Sequence, residues 1–267
     1  MTKAKIILIS ILIFIIALAS VLFGAVFRVR KQSLVAVGED VQYCEELKTE
    51  ILSSSGIKNG QSIFMINKDL AISNIEKAYP YIKVIQVRTT SFIEIEFHVR
   101  KRFETYYSEV NSKYYILDEE LKVLKIQSVG EVEKPNLAEF ESSKLGIDSN
   151  TKVGDIVSTK YYQQIANDLY GALYSNALLD RDKISSKITS ISFDEGFTLY
   201  GSYTRLILQT TTGVKMDICK PETNLNNKIN ICFSTYNSEN LTTEQKASGV
   251  IKIYLDENNI QHVGYFE

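Results

Sequence analysis

The sequence is poor in several residues that would direct its chemistry or shape. Its 267 residues include three cysteines, three prolines and two histidines. Three cysteines are too few for a disulfide framework. Cys44, Cys219 and Cys232 form no C-x-x-C pair, so a redox motif and a zinc site both lack their spacing. Cys232 falls on an apolar helical stripe and reads as a core thiol, while a Cys219–Cys232 bridge stays open on sequence separation alone. His98 and His262 have no neighbour in sequence that suggests a catalytic site, so histidine-based proton transfer has little to draw on. No nucleophile elbow, P-loop or dinucleotide fingerprint occurs. No catalytic, cofactor-binding or metal-binding residue is assigned. With 45% hydrophobic and 23% charged residues, the chain is neither collagenous nor wholly disordered. At roughly 150 residues per domain, its length suits one or two domains.

The net charge of −2 conceals an asymmetry. Residues 1–31 hold Lys3, Lys5, Arg28, Arg30 and Lys31 and no acid, which leaves 25 basic against 32 acidic residues in the remainder. That acidic remainder speaks against broad nucleic-acid binding, and nothing points to a small-molecule substrate. Between the basic residues, Ile6 to Phe27 runs for 22 residues with only Ser10 and Ser20 polar. As a helix it would extend roughly 33 Å, enough for a hydrocarbon core of ~30 Å. Ala17-Leu18-Ala19 resembles a signal-peptide cleavage site, but the apolar run continues eight residues beyond it. An uncleaved membrane anchor is therefore expected at 6–27. Basic residues flank it almost evenly, so charge alone does not orient it.

Beyond the anchor, a short strand is expected at Ser33–Val37, followed by a helix from Tyr43 to Leu52. Asn67 is placed to cap a second helix that carries Ala71 and Ile75 and ends at Pro80. Two strands follow, with a break near Thr90-Ser91. In the second, Ile93, Ile95, Phe97 and Val99 alternate with Glu94, Glu96, His98 and Arg100, the signature of one buried and one wet face. The alternation also accounts for the Glu94/Glu96 pair without acid–base chemistry. Lys113–Leu117 and Lys122–Ile126 flank a turn at Asp118–Leu121, and an irregular stretch runs from Pro135 to about Ser158. A helix is expected at Lys160–Tyr174. Strands are expected at Ile188–Phe193, Phe197–Tyr200, Arg205–Thr210 and Val214–Cys219. A short helix carrying Leu225, Ile229, Cys232 and Phe233 comes next. Val250–Leu255 and Ile260–Phe266 close the chain around Asp256-Glu257-Asn258-Asn259. Asn240-Leu241-Thr242 fits a glycosylation acceptor, a pattern common by chance.

This order of residues resembles the FtsQ/DivIB family of bacterial cell-division proteins. Gly60-Gln61-Ser62-Ile63-Phe64-Met65-Ile66-Asn67 looks like the family's glycine, apolar pair and helix entry. Pro80-Tyr81-Ile82 with Val87-Arg88 looks like its post-helix strand. Tyr114-Tyr115-Ile116-Leu117-Asp118, Lys134-Pro135-Asn136-Leu137, Thr212-Gly213-Val214, Leu225 with Lys228-Ile229, and Val263-Gly264-Tyr265 continue the match. Three places depart from it. Arg100-Lys101-Arg102 replaces a glutamate-containing pair and proline, while Leu121 and Cys219 each stand where glycine is usual.

The resemblance implies an α+β chain. Residues 1–5 would be a cytoplasmic tail and 6–27 a transmembrane helix. Residues 28–102 would be a POTRA-like (polypeptide-transport-associated) βααββ domain with its juxtamembrane stem. Residues 103–267 would be a mixed β-rich domain with two short helices. It implies a non-enzymatic, single-pass division scaffold with an extracytoplasmic C-terminal part, located at the septum. Its partners would be membrane-anchored FtsL-like and FtsB/DivIC-like proteins. An exposed C-terminal strand can accept a partner strand through its unpaired backbone groups. The matching positions are Tyr254, Leu255, Asn258, Val263, Gly264 and Tyr265, unless Val263 and Tyr265 merely complete the core. A POTRA-type transport or chaperone module is the alternative, and a tethered wall enzyme would need a catalytic cluster that the sequence does not display.

Overall fold

Alternation at 94–101 becomes a strand with Ile95, Phe97 and Val99 buried on one side. The computed structural model describes residues 3–175, 184–257 and 259–266, and the chain divides into two compact units, Met1–Arg102 and Phe103–Glu267.

The first unit begins with helix α1 (Lys3–Val26). Inside it the Ser20 hydroxyl donates to the Ile16 carbonyl at 2.8 Å, so this polar side chain is satisfied within the helix. Among the described residues no helix is long and apolar enough to cross a membrane. The span expected over 6–27 thus draws no support from the described helices, and α1 closes at Val26.

Strand β1 (Lys31–Ala36) follows, two residues earlier at its start than the alternation suggested. The helix expected at Tyr43–Leu52 is instead two: α2 (Val41–Glu46) and α3 (Lys48–Ser54), broken at Leu47, whose φ of −91° and ψ of 4° leave the helical region. Cys44 and Ile51 still reach the core from the two pieces. A 3-10 turn at Ile63–Met65 leads into α4 (Lys68–Ala78). The Leu70 N–H donates to the Asn67 side chain at 3.0 Å, the expected cap, and Ala71 and Ile75 are buried. Strands β2 (Ile82–Ser91) and β3 (Glu94–Lys101) complete the unit, with the sheet ordered β1-β3-β2. β1 and β3 are parallel and in register from Lys31↔Glu94 to Ala36↔Val99. Each fully buried Ile or Phe at this helix–sheet junction contributes roughly 1.5–3 kcal/mol. Arg102, in the divergent basic run, is buried and pairs with Glu76 at 2.8 Å.

The second unit is built on nine strands: β4 (Tyr106–Val110), β5 (Lys113–Leu117), β6 (Val123–Ser128), β7 (Ala138–Phe140), β8 (Ile188–Thr198), β9 (Gly201–Thr210), β10 (Lys215–Cys219), β11 (Val250–Leu255) and β12 (Gln261–Phe266). Their order is β12-β11-β10-β9-β8-β7-β4-β5-β6. Three-residue β7 lies in the stretch expected to be irregular, yet it pairs parallel with β4 and with β8 and joins the two halves of the sheet. Phe197–Tyr200 is not a separate strand: β8 extends through Thr198, and Leu199-Tyr200 form the turn into β9.

Among the described residues three α-helices belong to this unit, against two short ones expected: α5 (Lys160–Ser175), α6 (Leu225–Asn237) and α7 (Thr243–Ala247). Leu169 and Leu173 of α5 and Ile229 and Cys232 of α6 join the main core. Thr242, part of the glycosylation-like triplet, caps α7: the Gln245 N–H donates to its hydroxyl and the Gln245 side chain accepts from the Thr242 N–H. Cys44, Cys219 and Cys232 are free, buried thiols, so no Cys219–Cys232 bridge forms. Leu121, in the glycine position of the β5–β6 turn, takes a φ of 59° with its side chain wholly buried. The Asp118 carboxylate secures that turn by accepting from the Glu120 and Lys122 N–H groups.

Candidate functional site: the β12 edge

The C-terminal hairpin turns through Asp256. The Asn259 N–H donates to the Asp256 carbonyl and the Asp256 N–H to the Ile260 carbonyl, with Asn259 at φ 64°. This is a three-residue loop in which a left-handed residue provides the bulge. The Asp256 carboxylate also accepts from the Ile260 N–H at 2.8 Å and lies 3.0 Å from His262 Nε2. His262 therefore has a partner six positions away that simple inspection of neighbours missed. His98 likewise meets Glu96 at 2.6 Å.

β12 pairs antiparallel with β11 from Val250↔Phe266 to Leu255↔Gln261, and it stands last in the sheet order. Among the described residues no strand pairs with its other side. In an antiparallel ladder, hydrogen-bonded and non-bonded pairs alternate. Counting from the bonded Asp256/Ile260 pair, the bonded pairs are Tyr254/His262 and Lys252/Gly264. Gln261, Val263 and Tyr265 thus turn their N–H and C=O groups outward, as an unpaired edge.

The side chains of the strand divide between two faces. Tyr265 lies on the core side, half-buried against the main hydrophobic cluster, with its hydroxyl within 3.1 Å of the Gln245 and Ser248 carbonyls. Its polar tip is thus engaged within the molecule. Gly249, at φ +84°, makes room for that ring, since a Cβ there would fall 2.2 Å from the Tyr265 hydroxyl. Val263, on the same side and 43% exposed, does not finish the core. Leu255 packs partly against the core.

On the opposite face, the Tyr254 ring stacks on His262 with centroids 5.6 Å apart and meets Phe266 edge-on at 5.8 Å. Lys252 Nζ sits 5.1 Å from the Phe266 centroid, a cation–π contact. Gly264 lies under this group, and a Cβ there would come 3.1 Å from the Phe266 ring. Its small size serves a ring of its own strand. Asn258 lies outside the described residues. Lys252, His262 and Phe266 were not singled out from sequence, although period-two alternation puts them on one face with Tyr254.

That face continues over β10, β9 and β8 as a shallow cavity of about 550 Å³ lined by Phe197, Tyr203, Arg205, Asp217 and Tyr254 among others. Arg205 donates to Asp217 at 3.0 Å through Nε and to Asp194 at 3.1 Å through Nη1. Hydrogen bonding to Asp217 raises the Arg205 pKa further, keeping the guanidinium charged. Burial raises the Tyr203 phenol, so this residue presents a neutral O–H. The Lys228 ammonium of α6 donates to the Cys219 and Lys220 carbonyls and to the Thr223 hydroxyl, fixing the loop after β10, while burial lowers its pKa. Among the described residues no group of three or more His, Cys, Asp or Glu is placed to hold a metal ion.

An open edge beside an aromatic face has the geometry that strand addition requires. Over 134 residues the chain is 31% identical to "Cell division protein DivIB" of Clostridium botulinum strain Hall, covering 50% of each protein. The same identity and coverage hold for the strain Loch Maree protein of that name. The Clostridium tetani protein of that name is 35% identical over 78 residues, 29% of each chain. These matches support membership of the FtsQ/DivIB family. The first two alignments span about half the length of these curated relatives. No family model matches the chain.

Proposed function

We propose that this chain is an FtsQ/DivIB-type protein that acts in bacterial cell division as a non-enzymatic, membrane-anchored scaffold. In this reading residues 6–27 cross the membrane, the N-terminus is cytoplasmic, and the remainder acts outside the membrane at the septum. Support for the anchor comes from the 22-residue apolar run of the sequence, flanked by basic residues. The POTRA-like first unit and the β-rich second unit contact other single-pass division proteins. FtsL-like and FtsB/DivIC-like chains are the partners, one of them adding a strand beside β12.

The observation that carries this reading is the unpaired outer side of β12, where Gln261, Val263 and Tyr265 direct their main-chain groups. A partner strand there would take its affinity from backbone bonds and its selectivity from Val263 on one face and the Tyr254–His262–Phe266 cluster on the other. Shared confinement to one bilayer raises effective concentration, so a modest contact suffices.

Val263→Pro tests it. Proline removes an outward N–H and spares the bonded pairs to β11, and an edge strand tolerates it. The expected result is near-unchanged thermal stability with loss of co-purification of the FtsL-like and FtsB/DivIC-like proteins. Unchanged co-purification by a folded Val263→Pro protein would refute strand addition at this edge.

A further inference from the structure

The first unit is fastened closely to the end of its apolar helix. The Ile63 N–H donates to the Phe27 carbonyl at 3.0 Å and the Val29 N–H to the Gln61 carbonyl at 2.9 Å. The Gly60 N–H returns a bond to the Val29 carbonyl at 2.7 Å, and Arg28 bridges Ser62. Residues 27–29 and 60–63 thus form a short antiparallel clasp immediately after α1. It brings three aromatic rings together: Phe27 lies 5.3 Å from Phe64 and 4.9 Å from Phe92, the latter edge-on.

These rings do not enter the unit's core. Phe64 is 64% exposed, Met65 78% and Phe92 67%. They come from two separate connections, the 3-10 turn before α4 and the β2–β3 turn, yet gather at one end. The sheet explains why. β1 and the parallel β3 both start here, with Lys31 opposite Glu94, and run away from it together. Six residues of strand carry the chain about 20 Å to the far end, where Val41 opens α2.

We propose that this end of the first unit is a lipid-contacting collar: Phe64, Met65 and Phe92 sit in the bilayer interface around the exit of α1. The inference rests on the membrane-span reading. A chain leaving a bilayer at Phe27 cannot carry residues bonded to the Phe27 carbonyl far from the lipid surface. Chain continuity therefore selects a lipid surface as occupant. The charge agrees, because exposed Arg28 and Arg30 stand beside the rings, suited to anionic headgroups. Phenylalanine and other large apolar side chains are suited to interfacial burial. A lone span leaves the attached unit free to swivel, whereas the collar fixes one end of its sheet toward the membrane.

The chain contains no tryptophan, so single tryptophans report depth without background. Full-length Phe64→Trp, Phe92→Trp, Val41→Trp and Phe14→Trp proteins are reconstituted in phosphatidylethanolamine/phosphatidylglycerol vesicles. The lipids carry bromines either near the headgroup or deep in the acyl chains. Phe64→Trp and Phe92→Trp are expected to emit at shorter wavelength and to lose about half their intensity to shallow bromines, Val41→Trp to lose little, and Phe14→Trp to respond most to deep ones. If Phe64→Trp and Phe92→Trp are quenched no more than Val41→Trp while Phe14→Trp is quenched deeply, the collar is refuted and the span stands. If Phe14→Trp is unquenched, span and collar fall together.

Discussion

Replacing Gly249 by alanine should loosen β12 without touching its outer face. Gly249 holds a φ of +84°, and a Cβ there would fall 2.2 Å from the Tyr265 hydroxyl, 2.6 Å from its ring and 2.8 Å from the Phe266 carbonyl. The backbone conformation alone costs an L-residue about 1–2 kcal/mol. Displacing Tyr265 forfeits its hydroxyl bond to the Gln245 and Ser248 carbonyls, about another 1 kcal/mol. Together these give about 2–3 kcal/mol, or a fall in Tm of roughly 4–12 °C for a unit of this size. Amide hydrogen exchange should show the loss of protection concentrated in β12 and its β11 partners. A double-mutant cycle sharpens the test. Tyr265→Phe alone should cost about 1 kcal/mol but almost nothing in the Gly249→Ala background, where that bond is already broken. Unchanged β12 protection, or full additivity of the two substitutions, would show that Gly249 does not hold the strand through Tyr265.

Two further perturbations test the second unit. Leu121→Gly relieves the left-handed strain, about 1 kcal/mol, but empties a fully buried leucine site worth about 2–5 kcal/mol, so a lower denaturation midpoint is expected and a higher one would contradict the packing. Burial, and then the hydrogen bond donated to Glu139, push the Tyr107 phenol up to about 12. The fold therefore holds this proton more tightly than the unfolded chain, whose tyrosines titrate near ~10. Its contribution is full below that value and is lost as pH rises through about 12. Tyr107→Phe should flatten the decline of stability between those limits, and an identical slope in both proteins would rule the effect out.

What could be read from the sequence was what local periodicity encodes. The alternation in β3 named its buried residues, and Asn67 announced its helix through a side chain placed to cap it. The hairpin at β5–β6 was visible, but the positive φ of Leu121 was not, because only its burial compensates the strain. The Thr242–Gln245 capping box was in plain view, though a competing reading of Thr242 as part of a glycosylation triplet hid the short α7. β7 was illegible for a different reason: three residues are too few to display a period, and both its partners lie far away in sequence. At the candidate edge, the positions matched by resemblance fall on both faces of the strand, which alternation alone would have divided. The engagement of Tyr265 by α7, and the cover of the Phe266 ring over Gly264, depend on tertiary placement that spacing does not carry.

The position of β7 has a mechanical consequence. The nine-stranded sheet is stitched at its middle by three residues that pair with β4 over two positions and with β8 over two. The β8–β9 hairpin beside it is registered over ten pairs. A tug on β12 from a bound neighbour must cross that stitch to reach β4, β5 and β6 through the sheet. The seam at β7, rather than the long hairpin, is where the sheet is weakest in tension, and it sets how much load the sheet can pass from one half to the other before it tears.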